Sequence, residues 1–326
     1  MHPFEYVAAR DVANALELGT PDGARFIAGG TTLIDLMKEG VEEPQTLIDI
    51  NALPLTAIDV TVNGVTIGAL ARMSDVAYDA TIRERFPMVS EALLAGASGQ
   101  LRNMASIGGN LLQRTRCSYF REPVWACNKR VPGSGCSALE GPHRQHAIFG
   151  TSEQCIATHA SDLAVPLAAL DAVVRVSGRD GERSIPFAEF HTLPGDHPEI
   201  ESTLRPGELI VGLELPFSAP ARRSTYLKVR DRASYEFALV SVAVGLHVEG
   251  DTIAEARVAF GGVGTKPWRS PEAEAALRGK PATLDTYRAA ATAALTGAHP
   301  RRDNAFKVQL LKNAIVRALT TLGDRS

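Results

Sequence analysis

The four cysteines of the chain, Cys117, Cys127, Cys136 and Cys155, all fall in one stretch rich in Arg, Pro, Gly and His, with nine, eight and eighteen residues between successive members. Four thiolates in one loop are a donor set for zinc or for an iron–sulfur cluster. Zinc ribbons carry their cysteines in pairs about two to four residues apart, and these spacings lack such pairs. Disulfides stay open as an alternative in an oxidising compartment, without a connectivity that sequence can give, and unrelated buried thiols are another. His143, His146 and His159 lie near the same loop. With four cysteines at hand, they read as hydrogen-bonding or surface residues and not as ligands.

Two glycine turns suggest a second kind of chemistry. Ala28-Gly29-Gly30-Thr31-Thr32 sits between the apolar run Phe26-Ile27-Ala28 and a helical spacing of Leu33, Leu36 and Met37. Paired glycines let the backbone approach an anion, and the helix start behind them offers unpaired N–H groups, so a pyrophosphate fits there. Ser106-Ile107-Gly108-Gly109-Asn110 repeats the pattern, and two such turns in one domain would grip the phosphates of a dinucleotide from opposite sides. Each alone is equally well plain turn chemistry, and neither is the G-x-G-x-x-G of a Rossmann unit. Asp162, in Ser161-Asp162-Leu163, either caps an apolar helix or accepts a hydroxyl from a ligand. Lys228, in Lys228-Val229-Arg230-Asp231-Arg232, lies on a solvated charged face or against a flavin, where its charge stabilises the reduced anionic ring. The chain has no G-x-S-x-G elbow, no H-E-x-x-H and no P-loop, so no catalytic nucleophile is expected in it.

The elements that must position these groups alternate at first. A strand at 26–28, a helix from Leu33 and a strand Leu47-Ile48-Asp49-Ile50 make a βαβ-like opening. Residues 65–70 read as a strand, and 74–96 as a helix with Ser74 at its N-cap. Residues 112–158 form a long irregular loop, which needs a site or a ligand to order it. Apolar residues 163–177 and a strand from Leu209 to Leu215 follow, and Ser218–Arg223 reads as a domain boundary. Beyond it come strands at 239–248 and 256–260, then helices near 271–278, 283–295 and 304–322.

With 326 residues, 45% hydrophobic and 22% charged, the composition is that of a folded chain of about two domains. A formal charge of −3 provides no basic footprint for nucleic acid or for an anionic membrane surface. The opening Met1-His2-Pro3-Phe4-Glu5-Tyr6 does not read as a secretory signal, and no apolar run approaches the ~18 residues of a membrane span.

The two glycine turns, Ser161-Asp162 and the Lys228 segment occur in an order that resembles the FAD-binding medium subunit of the xanthine dehydrogenase and carbon monoxide dehydrogenase family, over essentially the whole chain. The segments 96–103, 110–117, 128–130, 132–136 and 228–235 are most similar to the FAD subunits of periplasmic aldehyde oxidoreductases. The resemblance implies an α/β (α+β) fold: a two-subdomain FAD-binding unit of the PCMH or vanillyl-alcohol-oxidase-like type over 1–220 (subdomains 1–55 and 56–220, with a Cys-rich insertion at 112–158), then a C-terminal domain of antiparallel sheet and helices over 221–326. Phe26, Ile27, Ala28, Gly29, Gly30, Thr31, Thr32, Leu33 and Ile34 would form the first pyrophosphate loop and Ser106, Gly108, Gly109 and Asn110 the second. Asp162 and Ile210 would line the FAD site, with Lys228 close to the flavin. Most of the wider family lacks the insertion; the subgroup uses it for a [4Fe-4S] cluster, which would place that cluster on Cys117, Cys127, Cys136 and Cys155. The implied activity is electron transfer to FAD from a molybdenum-cofactor large subunit and a [2Fe-2S] small subunit, and then to an external acceptor. Aldehyde chemistry would stay on the partner. The complex would be periplasmic, exported with a signal-bearing partner, with a cytoplasmic complex as the alternative. Two other functions fit less of the pattern: a stand-alone flavin oxidoreductase, and a cluster-bearing assembly scaffold.

Overall fold

A computed structural model describes residues 1–323. Strands β1 (Glu5–Ala8), β2 (Ala24–Ile27) and β3 (Thr46–Asp49) form a parallel sheet of order β1-β3-β2. Parallel neighbours need a crossover, and the helix Leu33–Lys38 supplies it between β2 and β3. This is the βαβ opening read from the apolar runs.

The second sheet is antiparallel and runs β4-β5-β8-β6-β7, built from β4 (Ile58–Val60), β5 (Gly64–Gly68), β6 (Val173–Gly178), β7 (Gly181–Pro186) and β8 (Leu209–Pro216). Val65, Ile67, Val174 and Leu213 on its strands pack with Val76, Val89, Leu93 and Leu167 from the covering helices into one buried core. The single helix expected over 74–96 is instead three short ones, Met73–Tyr78, Ala80–Arg85 and Pro87–Ala95. Asp79 breaks the first by accepting the Ile82 N–H as the cap of the second, and Pro87, without an N–H, can only begin the third. Ser74 is not a cap; its hydroxyl bonds Asn103 Oδ1 at 2.6 Å.

The C-terminal sheet has order β12-β11-β10-β9, from β9 (Ser224–Val229), β10 (Val240–Glu249), β11 (Thr252–Gly261) and β12 (Trp268–Arg269), all antiparallel. Helices Pro271–Leu277, Leu284–Ala293 and Phe306–Gly323 share a core with it through Val242, Val244, Phe260, Ala290, Ile315 and Leu319. Ser218–Arg223 is not a bare linker, because Ala219–Arg222 turns as a short helix with Pro220 and Ala221 buried. No helix among the described residues is long and apolar enough to cross a membrane.

Between Leu112 and Thr158 the only regular element is the helical turn Ser118–Arg121. The end of this insertion packs into the C-terminal core, where Ile148 and Phe149 are fully buried, and both of their N–H groups bond Val263 O. The C-terminal helix grips the same segment. Lys307 is fully buried and its Nζ donates to Gln145 O at 2.9 Å, His146 O at 3.0 Å and Gly262 O at 2.6 Å. Burial, and then the charge of Arg144, push its pKa down to about 7, yet three carbonyl acceptors need all three N–H bonds of the ammonium form. Asn304 adds bonds to His146 O and Ala147 O.

Lys307→Leu would strand these carbonyls in the core. A loss of about 3 kcal/mol is expected, since each unpaired buried group costs roughly 1–3 kcal/mol, and denaturant unfolding of the full chain measures it. A loss below about 0.5 kcal/mol would make the clamp dispensable.

Candidate functional site

The two glycine turns, far apart in sequence, meet in space. A Cβ built on Gly29 would lie 1.9 Å from Met104 O, so only glycine lets the first turn rest on the end of the helix Gly99–Met104, which leads into the second. Arg72 fastens the junction: one Nη bonds Met104 O at 2.6 Å and the other Asn51 Oδ1 at 2.9 Å, while Asn51 Nδ2 bonds Ala28 O at 3.0 Å. Gly30 has φ +68°, the left-handed region that glycine enters without strain. Among the described residues, the main-chain N–H groups of Gly29, Gly30, Thr31, Thr32 and Leu33 donate to no acceptor, and Thr32 leaves the helix behind them uncapped. A row of free N–H groups at a turn is an anion cradle. Ile34 closes it by donating to Gly30 O.

The second turn differs in kind. Ile107 N–H bonds Ala71 O, Gly108 N–H bonds Ala69 O, Asn110 N–H bonds Ser106 O, and the Ser106 hydroxyl accepts from Gly109 N–H. Its donors are used, two by the carbonyls of Ala69 and Ala71 after β5 and two by Ser106 at the start of the helix Ile107–Leu111. What it offers is the open face of Gly109, exposed to solvent, and Asn110, whose Oδ1 accepts from Ser161 Oγ at 2.5 Å. That bond ties the turn to the Ser161-Asp162 segment.

The cap of the helix Ala164–Ala169 comes from Ser161, whose Oγ accepts the Ala164 N–H, so Asp162 is released from that role. Its Oδ1 accepts from Tyr226 Oη at 2.6 Å and its Oδ2 from Lys228 Nζ at 2.8 Å. Lys228 also donates to Ala95 O, at 3.2 Å, and its side chain is 4% exposed, so it is no solvated surface charge. Burial, and then the charge of Asp162, hold Tyr226 well above the ordinary phenol range, so it serves as a neutral donor. Tyr226 was not among the residues read from sequence. Its position two before Lys228 on β9 was the available signal, because alternate residues of a strand share a face.

Asp162, Ser161, His159, Ser241, Arg116 and Cys117 line one cavity of about 270 Å³. Ile210 does not join them: its side chain is 4% exposed in the core, and its main chain pairs with Val176. The next residue reaches the second turn through main chain alone, as Val211 O accepts Ala69 N–H and Ala69 O accepts Gly108 N–H.

All four cysteines line a second, much tighter cavity of about 10 Å³, and form no disulfide. Cys127 and Cys136 face each other across an antiparallel bridge. Burial pushes the Cys117 thiol up to about 12 and the Cys155 thiol up to about 11, which makes them poor nucleophiles; a cation among them would displace the protons. No three His, Cys, Asp or Glu side chains among the described residues close around a single metal ion. The four thiols instead line one pocket together, which is the donor set a cluster needs.

Of the three histidines, His143 and His146 are buried and His159 is half-buried, and each has a polar partner, as the hydrogen-bonding reading expected. His143 accepts the Asp303 N–H at Nε2 and bonds Gly141 O through Nδ1; His159 Nε2 lies 3.1 Å from His191 Nε2. His146 Nε2 lies 3.1 Å from Cys117 Sγ. Cys117 is the cysteine that borders both cavities.

Residues 2–218 match the family described as FAD binding domain in molybdopterin dehydrogenase, and residues 225–322 match the CO dehydrogenase flavoprotein C-terminal domain. The chain is 50% identical to the aldehyde oxidoreductase FAD-binding subunit PaoB of Escherichia coli K12, covering 98% of each. It is 29% identical to the glyceraldehyde dehydrogenase medium chain of Sulfolobus acidocaldarius, over 93% of this chain and 92% of that one. Among solved structures, it aligns with a carbon monoxide dehydrogenase from Hydrogenophaga pseudoflava that lacks the Mo-pyranopterin moiety, at TM-score 0.78 and 26% identity over 100% and 99% of the chains.

Gly29→Ala should force the turns apart and lower the FAD bound per purified chain at least tenfold, while Gly109→Ala, whose Cβ would meet only Ser106 Oγ at 3.0 Å, should keep at least half. Flavin absorbance per chain decides it, and equal retention would dissociate Gly29 from binding.

Proposed function

This chain belongs to the family of FAD-binding subunits of molybdenum hydroxylase complexes, and from that premise we propose that it passes electrons from molybdenum and [2Fe-2S] partner subunits to an external acceptor. The observation that carries the reading is the continuous seam from the Gly29 turn through Met104 and Asn110 to Asp162 and Lys228. It joins an anion cradle to a cavity with a buried charge pair at its wall. FAD, when bound, supplies reversible electron uptake.

The residues of this chain would then divide the work. The free N–H row at 29–33, entered from Phe26-Ile27-Ala28 and closed by Ile34, would hold the pyrophosphate. Ser106, Gly108, Gly109 and Asn110 would shape the opposite wall, and Asn110 would hold Ser161 in place. Asp162 would keep Lys228 oriented, so that a positive charge stands beside the ring. The main chain around Ile210 would back the second turn. In this reading 1–220 and 221–326 are the two domains, and the insertion lies across them.

We further propose a [4Fe-4S] cluster on Cys117, Cys127, Cys136 and Cys155. Four thiols around one cavity, without disulfide or single-ion geometry, support it. The large similarity to an aldehyde oxidoreductase subunit supports an aldehyde as the partner's substrate. We further propose, on the sequence resemblance alone, a periplasmic complex exported on a partner's signal over a cytoplasmic one.

Anaerobic purification with the partner subunits, followed by flavin, iron and sulfide assays, tests both proposals. About one FAD and four irons with four sulfides per chain, beyond the partners' clusters, are expected. Flavin without the extra iron would overturn the cluster alone. A folded complex without flavin would overturn the electron-transfer reading.

A further inference from the structure

Building on the cluster reading above, we propose that His146 donates an N–H···S hydrogen bond to the Cys117 thiolate and thereby raises the reduction potential of the cluster. Its Nε2 stands 3.1 Å from Cys117 Sγ, and the ring is buried, at 6% exposure for the residue. Its other nitrogen, Nδ1, is buried with no partner. These two facts fix the tautomer. A metal-bound thiolate carries no proton, so the contact is a hydrogen bond only if the proton sits on Nε2. The reverse arrangement would bury an unpaired Nδ1–H and set two lone pairs against each other at the sulfur, the costly outcome for a buried donor.

The main chain that carries the ring is anchored on several sides. His146 O receives the Lys307 ammonium at 3.0 Å and Asn304 Nδ2 at 3.3 Å, and His146 N–H donates to His143 O at 3.1 Å. His143 is itself pinned at both ring nitrogens, by Gly141 and Asp303. The distant segment 303–307 and the loop's own residues 141–143 therefore converge on the main chain that places one imidazole beside one sulfur, and main-chain anchoring alone would not require a histidine there.

A hydrogen bond to a cluster sulfur stabilises the form with more electron density on sulfur, which is the reduced one. Cys117 makes the choice of sulfur meaningful, because it is the thiol that also borders the 270 Å³ cavity containing Asp162. His146 lines that same cavity. The donor acts at the point where the two candidate redox sites share a wall. The event tuned is the addition of one electron, with no bond made or broken.

An EPR-monitored redox titration of the whole complex, with dithionite as electron donor, tests this. His146→Leu should make cluster reduction about tenfold less favourable, a fall of about 59 mV for a one-electron couple. His146→Gln, which keeps an N–H donor, should recover at least half of the fall, and the flavin potential in the same titration should stay put. An unchanged cluster potential in His146→Leu with full iron content would overturn the proposal. So would loss of iron from both variants, which would make His146 a ligand or a scaffold residue. Wild-type complex with flavin but without the additional four irons would overturn the cluster reading and this inference with it, an outcome that the iron assay separates from the others.

Discussion

The carbonyl of Met104 occupies the space that any side chain at position 29 would need, and the geometry of the site follows from that contact. A Cβ at 1.9 Å cannot be relieved by a rotamer change, since both partners are backbone. The turn after β2 is therefore held against the approach to the Ser106 turn, with Arg72 and Asn51 bonded across the gap. Because the first turn leans on a neighbour through its glycine, it need not spend its N–H groups on holding itself together. Five successive donors stay free, and water or an anion can satisfy them. The second turn, which builds a helix immediately, has no such freedom.

The insertion faces the opposite problem: a long segment with one helical turn has main-chain groups that no ladder satisfies. Long cationic side chains take over. Arg130 reaches the carbonyls of Tyr119, Phe120, Pro123 and Trp125, Lys129 reaches Pro198 O, and Lys307 reaches two more from the C-terminal helix. Ion pairs tie the edges down, Arg121 to Asp35 and Glu39, and Arg114 and Lys129 to Glu201. The richness in Arg, Pro and Gly that marked this stretch as irregular is also what orders it. The four thiols are left at the centre.

Periodicity showed most of the fold, because strands such as β8, β10 and β11 are long, apolar and bounded by turn residues. It failed at 74–96, where the apolar spacing runs on through Asp79 and Pro87 while the backbone breaks at both. The glycine pairs announced turns, but not that one would keep its donors free and the other use them; that depends on Ala69, Ala71 and Met104, which carry no signal of their own. Asp162 and Lys228 were singled out in the sequence with a plain alternative beside each, but their direct bond was not foreseen, since nothing in sequence says which buried charges meet. Tyr226 was missed because a tyrosine at a strand position reads as packing. The histidines were read as hydrogen-bonding or surface residues, and tertiary hydrogen bonds decide for the first, burying His143 and His146 and half-burying His159.

The charges around the larger cavity are matched pairwise. Lys228 answers Asp162, Arg144 forks onto Asp231 at 2.7 and 3.0 Å, and Arg116 reaches Asp35 while stacking on Phe237. A buried pair of this kind persists only when hydrogen bonds satisfy what the Coulomb attraction leaves over, and Tyr226 and Ala95 O do so for Asp162 and Lys228. No unpaired cation in this wall competes with the uncharged N–H row for an anionic group. Under the proposed function, a molecule with a flat polar body and a distant pyrophosphate would be oriented in one sense: its anionic part would go to the free N–H row of the Gly29 turn, and its ring to the paired wall that ends at Cys117.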